Sequence, residues 1–118
     1  MSIWIDVRFD TATAHAAARE LRSVAAEVEA AAERRADLAD QARDGWTGRQ
    51  REWFDDVVGA QLAEAGDLVE ALRAAAVRIE DDLAAATAEQ RRRVEARLAE
   101  QRAAEAAAER RERLAGAH

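Results

Sequence analysis

The chain contains no cysteine, no proline and no tyrosine, and only 4% of its residues are aromatic. Without cysteine there are no disulfides and no thiolate metal sites, and the redox compartment stays undecided. Without proline, turn-making falls to the five glycines and to small polar residues. Lysine is absent too, so all eighteen basic residues are arginine, which together with the alanine excess suggests a GC-rich coding sequence. Positive charge is in deficit: a net charge of −6 argues against nucleic acid as the main partner, because phosphate binding needs a basic footprint. No apolar run approaches membrane-spanning length, which argues against membrane insertion. The N-terminal residues lack the basic-then-apolar layout of a signal peptide. Export, if it occurs, is expected to proceed without a cleaved signal.

What remains is helix-forming material. The 118 residues are 36% charged and 49% hydrophobic, enough for one domain. Much of that hydrophobic fraction is alanine, which buries little surface per residue, so a two-helix core is thin and an isolated hairpin is expected to be marginal. The stretch Arg43–Gly48, Arg-Asp-Gly-Trp-Thr-Gly, separates two long helix-compatible runs. Gly45 reads as a helix stop, since glycine tolerates positive φ just past a helix C-terminus. Thr47 followed by Gln50 is a capping-box pattern for the next helix, and Gly48 keeps the turn sterically open. Trp46 stands between them and has to be covered, either as a plug for the hairpin end or as part of a binding surface.

In chain order, residues 1–10 alternate Ile3, Ile5, Val7 and Phe9 with polar or bulky neighbours, the pattern of an extended arm. The expected hairpin spans residues 11–90, with helix 1 over about 12–42, a turn at 43–48 and helix 2 over about 49–90. Helix 1 carries a seam from Ala14 through Leu21 and Val28 to Leu38 and Ala42, broken once by Arg35. Beside it runs a second row, Ala18, Ala25, Ala32 and Ala39, at seven-residue spacing. The combined face is wider than one helix pair requires, so the alanine row is expected to serve a second neighbour. Helix 2 has a strict four–three seam, Val58, Leu62, Ala65, Val69, Leu72, Ala76, Ile79, Leu83 and Ala86, implying shallow, coiled-coil-like packing. That seam fails at Gln90 and Arg93, which marks the expected end of the packed region. Beyond Glu80, helix 2 should overhang helix 1, and the arm is expected to fold back over the overhang. Residues 91–118 form an Arg/Glu/Ala-rich tail, helical or disordered, supported by pairs such as Glu89–Arg93 and Glu109–Arg113.

Catalytic chemistry is not apparent. His15 sits among alanines, and His118 is the last residue given. The pairs Asp55–Asp56 and Asp81–Asp82 are sequence neighbours, which point in different directions on a helix. Ser2 and Ser23 have no base nearby, and no glycine-rich phosphate loop occurs. The expectation is a non-enzymatic protein without metal or cofactor.

Trp46-Thr47-Gly48 in a short turn between two amphipathic helices, with the aromatic pair Trp53–Phe54 soon after, resembles the WXG family, the small helical-hairpin proteins of type VII secretion found mainly in actinobacteria and Firmicutes. The resemblance covers roughly residues 11–90. It implies an all-α antiparallel hairpin that pairs with a second WXG-type chain, identical or different, into a four-helix bundle exported folded. Family complexes carry a Tyr-x-x-x-Asp/Glu signal after helix 2 on at least one partner. Here the corresponding residues read Ile79-Glu80-Asp81-Asp82-Leu83. The chain is therefore expected to be the partner subunit of a signal-bearing chain, or a cytosolic chaperone-like adaptor. The expected interface combines Ala18, Leu21, Ala25, Val28, Ala32 and Ala39 with Trp53, Phe54, Leu62, Val69 and Leu72. The competing expectation is a generic cytosolic coiled-coil adaptor in which Trp46 only plugs the hairpin end. A membrane-surface helix is the weakest, since residues 1–88 carry ten arginines against eighteen acids.

Overall fold

A computed structural model describes residues 10–116. Among them the structure is all helical, with two helices and no strand: α1, Thr11–Arg43, and α2, Gly48–Gly116. Both run far beyond the length at which an isolated helix is marginal, and their interiors lack proline. At 33 residues, α1 is about 50 Å long at 1.5 Å per residue.

The connection is tight. The Gly45 N–H donates to the Ala42 carbonyl at 3.1 Å, and the Trp46 N–H donates to the Arg43 carbonyl at 3.0 Å. Thr47 opens α2 with its own carbonyl, which accepts from the Arg51 N–H at 3.4 Å. The positive φ of this turn belongs to Gly48, at +58°, and not to Gly45. The helix stop read at Gly45 is thus made by turn hydrogen bonds from ordinary backbone. The left-handed residue comes later, where the chain must swing into the first turn of α2.

The chain divides into two compact units. One is Thr11–Asp81, the hairpin; the described part of the other is Asp10 with Asp82–Gly116. In the second unit the residues beyond Asp82 stay helical to Gly116. This segment is laced by its own ion pairs, including Glu89–Arg93 at 3.1 Å and Glu109–Arg113 at 3.5 Å. Of the two states open to the tail, helix is the one adopted, supported by carboxylate–arginine pairs one turn apart. The extended arm falls, except for Asp10, outside the described residues, and so does its proposed packing beyond Glu80.

Within the hairpin the buried core is small: Ala18, Ala25 and Ala39 from α1, and Val69 and Ala76 from α2. The α2 seam is where its four–three spacing puts it, with Val58, Leu62, Ala65, Leu72 and Ile79 half-buried around Val69 and Ala76. On α1 the outcome differs from the expectation. The alanine row assigned to a second neighbour is the most deeply covered part of the helix, with Ala18 1% and Ala25 0% exposed. The seam residues Leu21, Val24 and Val28 flank it half-buried, while Leu38 is 63% exposed. The physical reason is close approach. A row of methyl groups repeating every seven residues lets two helix backbones come nearest, and the strict heptad of α2 supplies the matching row. Larger side chains are then pushed to the flanks.

Candidate docking face

The flanks of the core make the two broad sides of the hairpin different. Counting from the alanine row Ala18, Ala25, Ala32 and Ala39, residues four further on (Arg22, Glu29, Ala36 and Arg43) lie on one side. Three of these four reach across to α2. Arg22 pairs with Glu80, Glu29 with Arg73 at 3.1 Å, and Arg43 with Asp55 at 2.8 Å. Between the first two pairs, seven residues forward on α1 match seven residues back on α2, so the rungs record an in-step antiparallel heptad register. The Arg22 guanidinium, first through its side-chain hydrogen bond, holds the Glu80 carboxyl below its ordinary value, and Glu80 in turn raises Arg22. These pairs are exposed and add little stability, but they fix register and bar a one-step slip. Ala36 interrupts the ladder. It lines an open cleft of about 500 Å³ with Gly66, floored by Leu62, Ala65 and Val69 and edged by Glu33 and Glu70.

Residues three beyond the alanines of that row (Leu21, Val28, Arg35 and Ala42) lie on the opposite side. None of these three cross-helix ion pairs falls here. Val28, Arg35 and Ala42, together with Leu68 and Phe54 of α2, border two further clefts of about 430 and 250 Å³ that run toward the turn. Leu38 and Leu68, 63% and 49% exposed, stand on the two shoulders of this side. The result is a hairpin latched on one face and apolar on the other.

At the tip, Trp46 is half-buried and stacks on Phe54, with centroids 5.4 Å apart and planes 13° from parallel. Trp53 meets Trp46 at 6.2 Å and 50° but remains 60% exposed. Trp46 is thus covered in part by the pair that follows it one and a half to two turns into α2, an aromatic arrangement of the offset and tilted kinds that are favoured.

Of the residues expected at an interface, Ala18, Ala25, Ala39 and Val69 are buried inside the hairpin. Ala32, Leu21, Val28, Phe54, Leu62 and Leu72 are half-buried, and Trp53 is exposed. The surface open to a partner is therefore the apolar flank and the aromatic tip rather than the alanine row. What the sequence reading missed is the ladder. Its signal was present as alternating charge at heptad spacing, Arg22 then Glu29 on α1 against Arg73 then Glu80 on α2. Among the described residues there is no group of three or more His, Cys, Asp or Glu able to hold a metal. Among the same residues no helix is long and apolar enough to cross a membrane.

No protein-family model, no curated protein and no solved structure matches this chain.

Proposed function

We propose that this chain is a non-enzymatic helical-hairpin protein of the WXG type. In this reading it pairs through its apolar face with another hairpin chain into a four-helix bundle and serves a type VII secretion system as partner subunit or chaperone-like adaptor. The observation that carries the reading is a Trp-x-Gly turn joining two long helices whose ion-pair ladder sits on one side only, leaving the other side with exposed Leu38 and Leu68. A core of four alanines and one valine is small for a hairpin of this length, and a second hairpin on the open side would deepen it. With no tyrosine in the chain, a Tyr-x-x-x-Asp/Glu signal would have to come from the other subunit. The chain would be cytoplasmic before any export.

The test is co-expression with hairpin-sized proteins encoded beside it, followed by native mass measurement and by assay of the culture medium with and without the secretion ATPase. A stable complex of two hairpins, released in an ATPase-dependent manner or retained as an adaptor bound to an exported chain, is the expected result. A chain that binds no hairpin and whose loss leaves secretion unchanged returns the reading to a generic coiled-coil adaptor.

A further inference from the structure

The ladder on the latched side lacks its third rung. The pairs Arg22–Glu80 and Glu29–Arg73 advance by seven on α1 and fall by seven on α2, so the next positions to face each other are Ala36 and Gly66. Neither side chain can bridge, and the cleft of about 500 Å³ opens there over Leu62, Ala65 and Val69. Nothing inside the hairpin calls for glycine at this place. Gly66 has no positive φ, a Cβ on it would meet nothing within 4 Å, and glycine weakens a helix interior. The cleft is lined by three glutamates and one arginine. Glu29 and Arg73 satisfy each other. Glu33 on α1 and Glu70 on α2 are exposed, and among the described residues neither carboxylate is in an ion pair or hydrogen bond. An occupant that desolvated them without bringing positive charge would be penalised. It must be apolar along its middle and cationic at its edges.

We propose that this occupant is the Arg91–Arg102 segment of a second copy of the chain. The segment is helical, and Arg91, Val94, Leu98 and Arg102 follow one another at steps of three and four, so they share one side. Val94 and Leu98 are 39% and 43% exposed. Arg91 and Arg102 are exposed, and among the described residues neither is in an ion pair, whereas Arg92 and Arg93 are both tied to Glu89. Residues 91–102 carry five arginines against two glutamates, the reverse of the cleft. The lengths agree as well. Arg91 to Arg102 and Leu62 to Arg73, the extent of the cleft along α2, each cover about 16 Å of helix at 1.5 Å per residue. Laid in the cleft, the segment sets Val94 and Leu98 over Leu62 and Val69 and brings arginines to Glu33 and Glu70. Cleft and segment both involve α2, which is helical throughout, and a helix cannot fold onto itself, so the contact joins two copies. It is heterologous, the tail of one copy against the cleft of another. It uses the latched side, leaves the apolar flank free, and does not depend on the proposed function.

The experiment is sedimentation velocity of the full chain over a range of concentrations, with helicity followed by circular dichroism. The parent is expected to self-associate. Gly66→Leu fills the cleft where a Cβ meets nothing and replaces a poor helix former, so it should keep or raise helicity while abolishing the association. The rim reversal (Glu33→Arg with Glu70→Arg) and the stripe reversal (Arg91→Glu with Arg102→Glu) change exposed positions. Each should raise the association Kd about tenfold or more, and the two reversals combined should restore it. Because the chain has no cysteine, an Ala36→Cys chain mixed with a Gln101→Cys chain and treated with a short bismaleimide reports which segments meet. A covalent product joining position 36 of one copy to position 101 of another is expected, and Gly66→Leu on the cleft-bearing chain should remove it. A chain monomeric at every concentration overturns the proposal. So does an association indifferent to Gly66→Leu and to both reversals, or a mixture that yields no 36–101 product. None of these outcomes touches the proposed function, which uses the other side of the hairpin.

Discussion

Glycine at position 48 should be required for its backbone, and glycine at position 45 should not. Gly48 sits at φ +58°, in the left-handed region that costs an L-residue about 1–2 kcal/mol. A Cβ built there meets nothing within 4 Å, so Gly48→Ala carries no steric contribution. Alanine also restricts the unfolded chain, returning about 0.4–1 kcal/mol. The net expectation is a loss of about 1 kcal/mol. Gly45 has no positive φ, and its Cβ would lie 3.5 Å from the Ala42 carbonyl oxygen, an ordinary contact. Gly45→Ala should therefore be neutral, or stabilising by up to about 1 kcal/mol through the same entropy effect. Gly48→Asn should fall between the two, because asparagine tolerates the left-handed region better than alanine does. Urea denaturation followed by helical circular dichroism ranks the three variants directly, provided the slope m is unchanged. If Gly45→Ala proves the costlier change, or if Asn and Ala are equally damaging at 48, the turn is not built as described. The glycine of the Trp-x-Gly motif would then need a steric explanation.

Three further outcomes follow from the packing and the charges. Ala25→Leu places three extra carbons where the side chain is 0% exposed and should cost about 1–3 kcal/mol through overpacking, whereas Ala31→Leu on the half-buried flank should be tolerated; thermal melts compare them. Trp46→Ala should cost less than the ~3–5 kcal/mol of a fully buried large aromatic, because the ring is half-buried, and its removal should change the fluorescence of neighbouring Trp53. The folded-state value of Glu80 lies below its ordinary 4.5, so its contribution is complete above about 4.5 and is lost as the pH falls through the lower folded value. Glu80→Gln should therefore show a shallower loss of stability over that acid window than the parent, and high salt should shrink the difference.

The helices and the turn were legible because the sequence states them locally. The α2 seam from Val58 to Ile79 repeats without error, and glycine and tryptophan punctuate the one place where both patterns stop. The rotation of α1 was not legible from apolar residues alone. Leu21, Val24 and Val28 are larger than the alanines beside them, and a reading weighted by hydrophobicity puts the large residues inward. The thin core reverses that order, since backbone approach is limited by the smallest row on offer. Charge spacing would have settled the matter: Arg22 and Glu29 can reach Glu80 and Arg73 only when Ala18 and Ala25 face α2. The exposed apolar flank was not singled out, because the reading set aside for a second neighbour the alanine row that the hairpin itself buries.

The matched rungs Arg22–Glu80 and Glu29–Arg73 also act as a ruler for how such a chain can change length. Adding or removing one residue in either helix would turn everything beyond it by about 100°, carrying the methyl row out of the seam and the ladder out of reach. A balanced change of seven in both helices preserves rows, rungs and face alike. Viable length variants of the hairpin should therefore be quantised: seven residues gained or lost on each arm, or single residues only in the turn and past the last rung. A library of insertions scored for folding would show that comb of tolerated lengths.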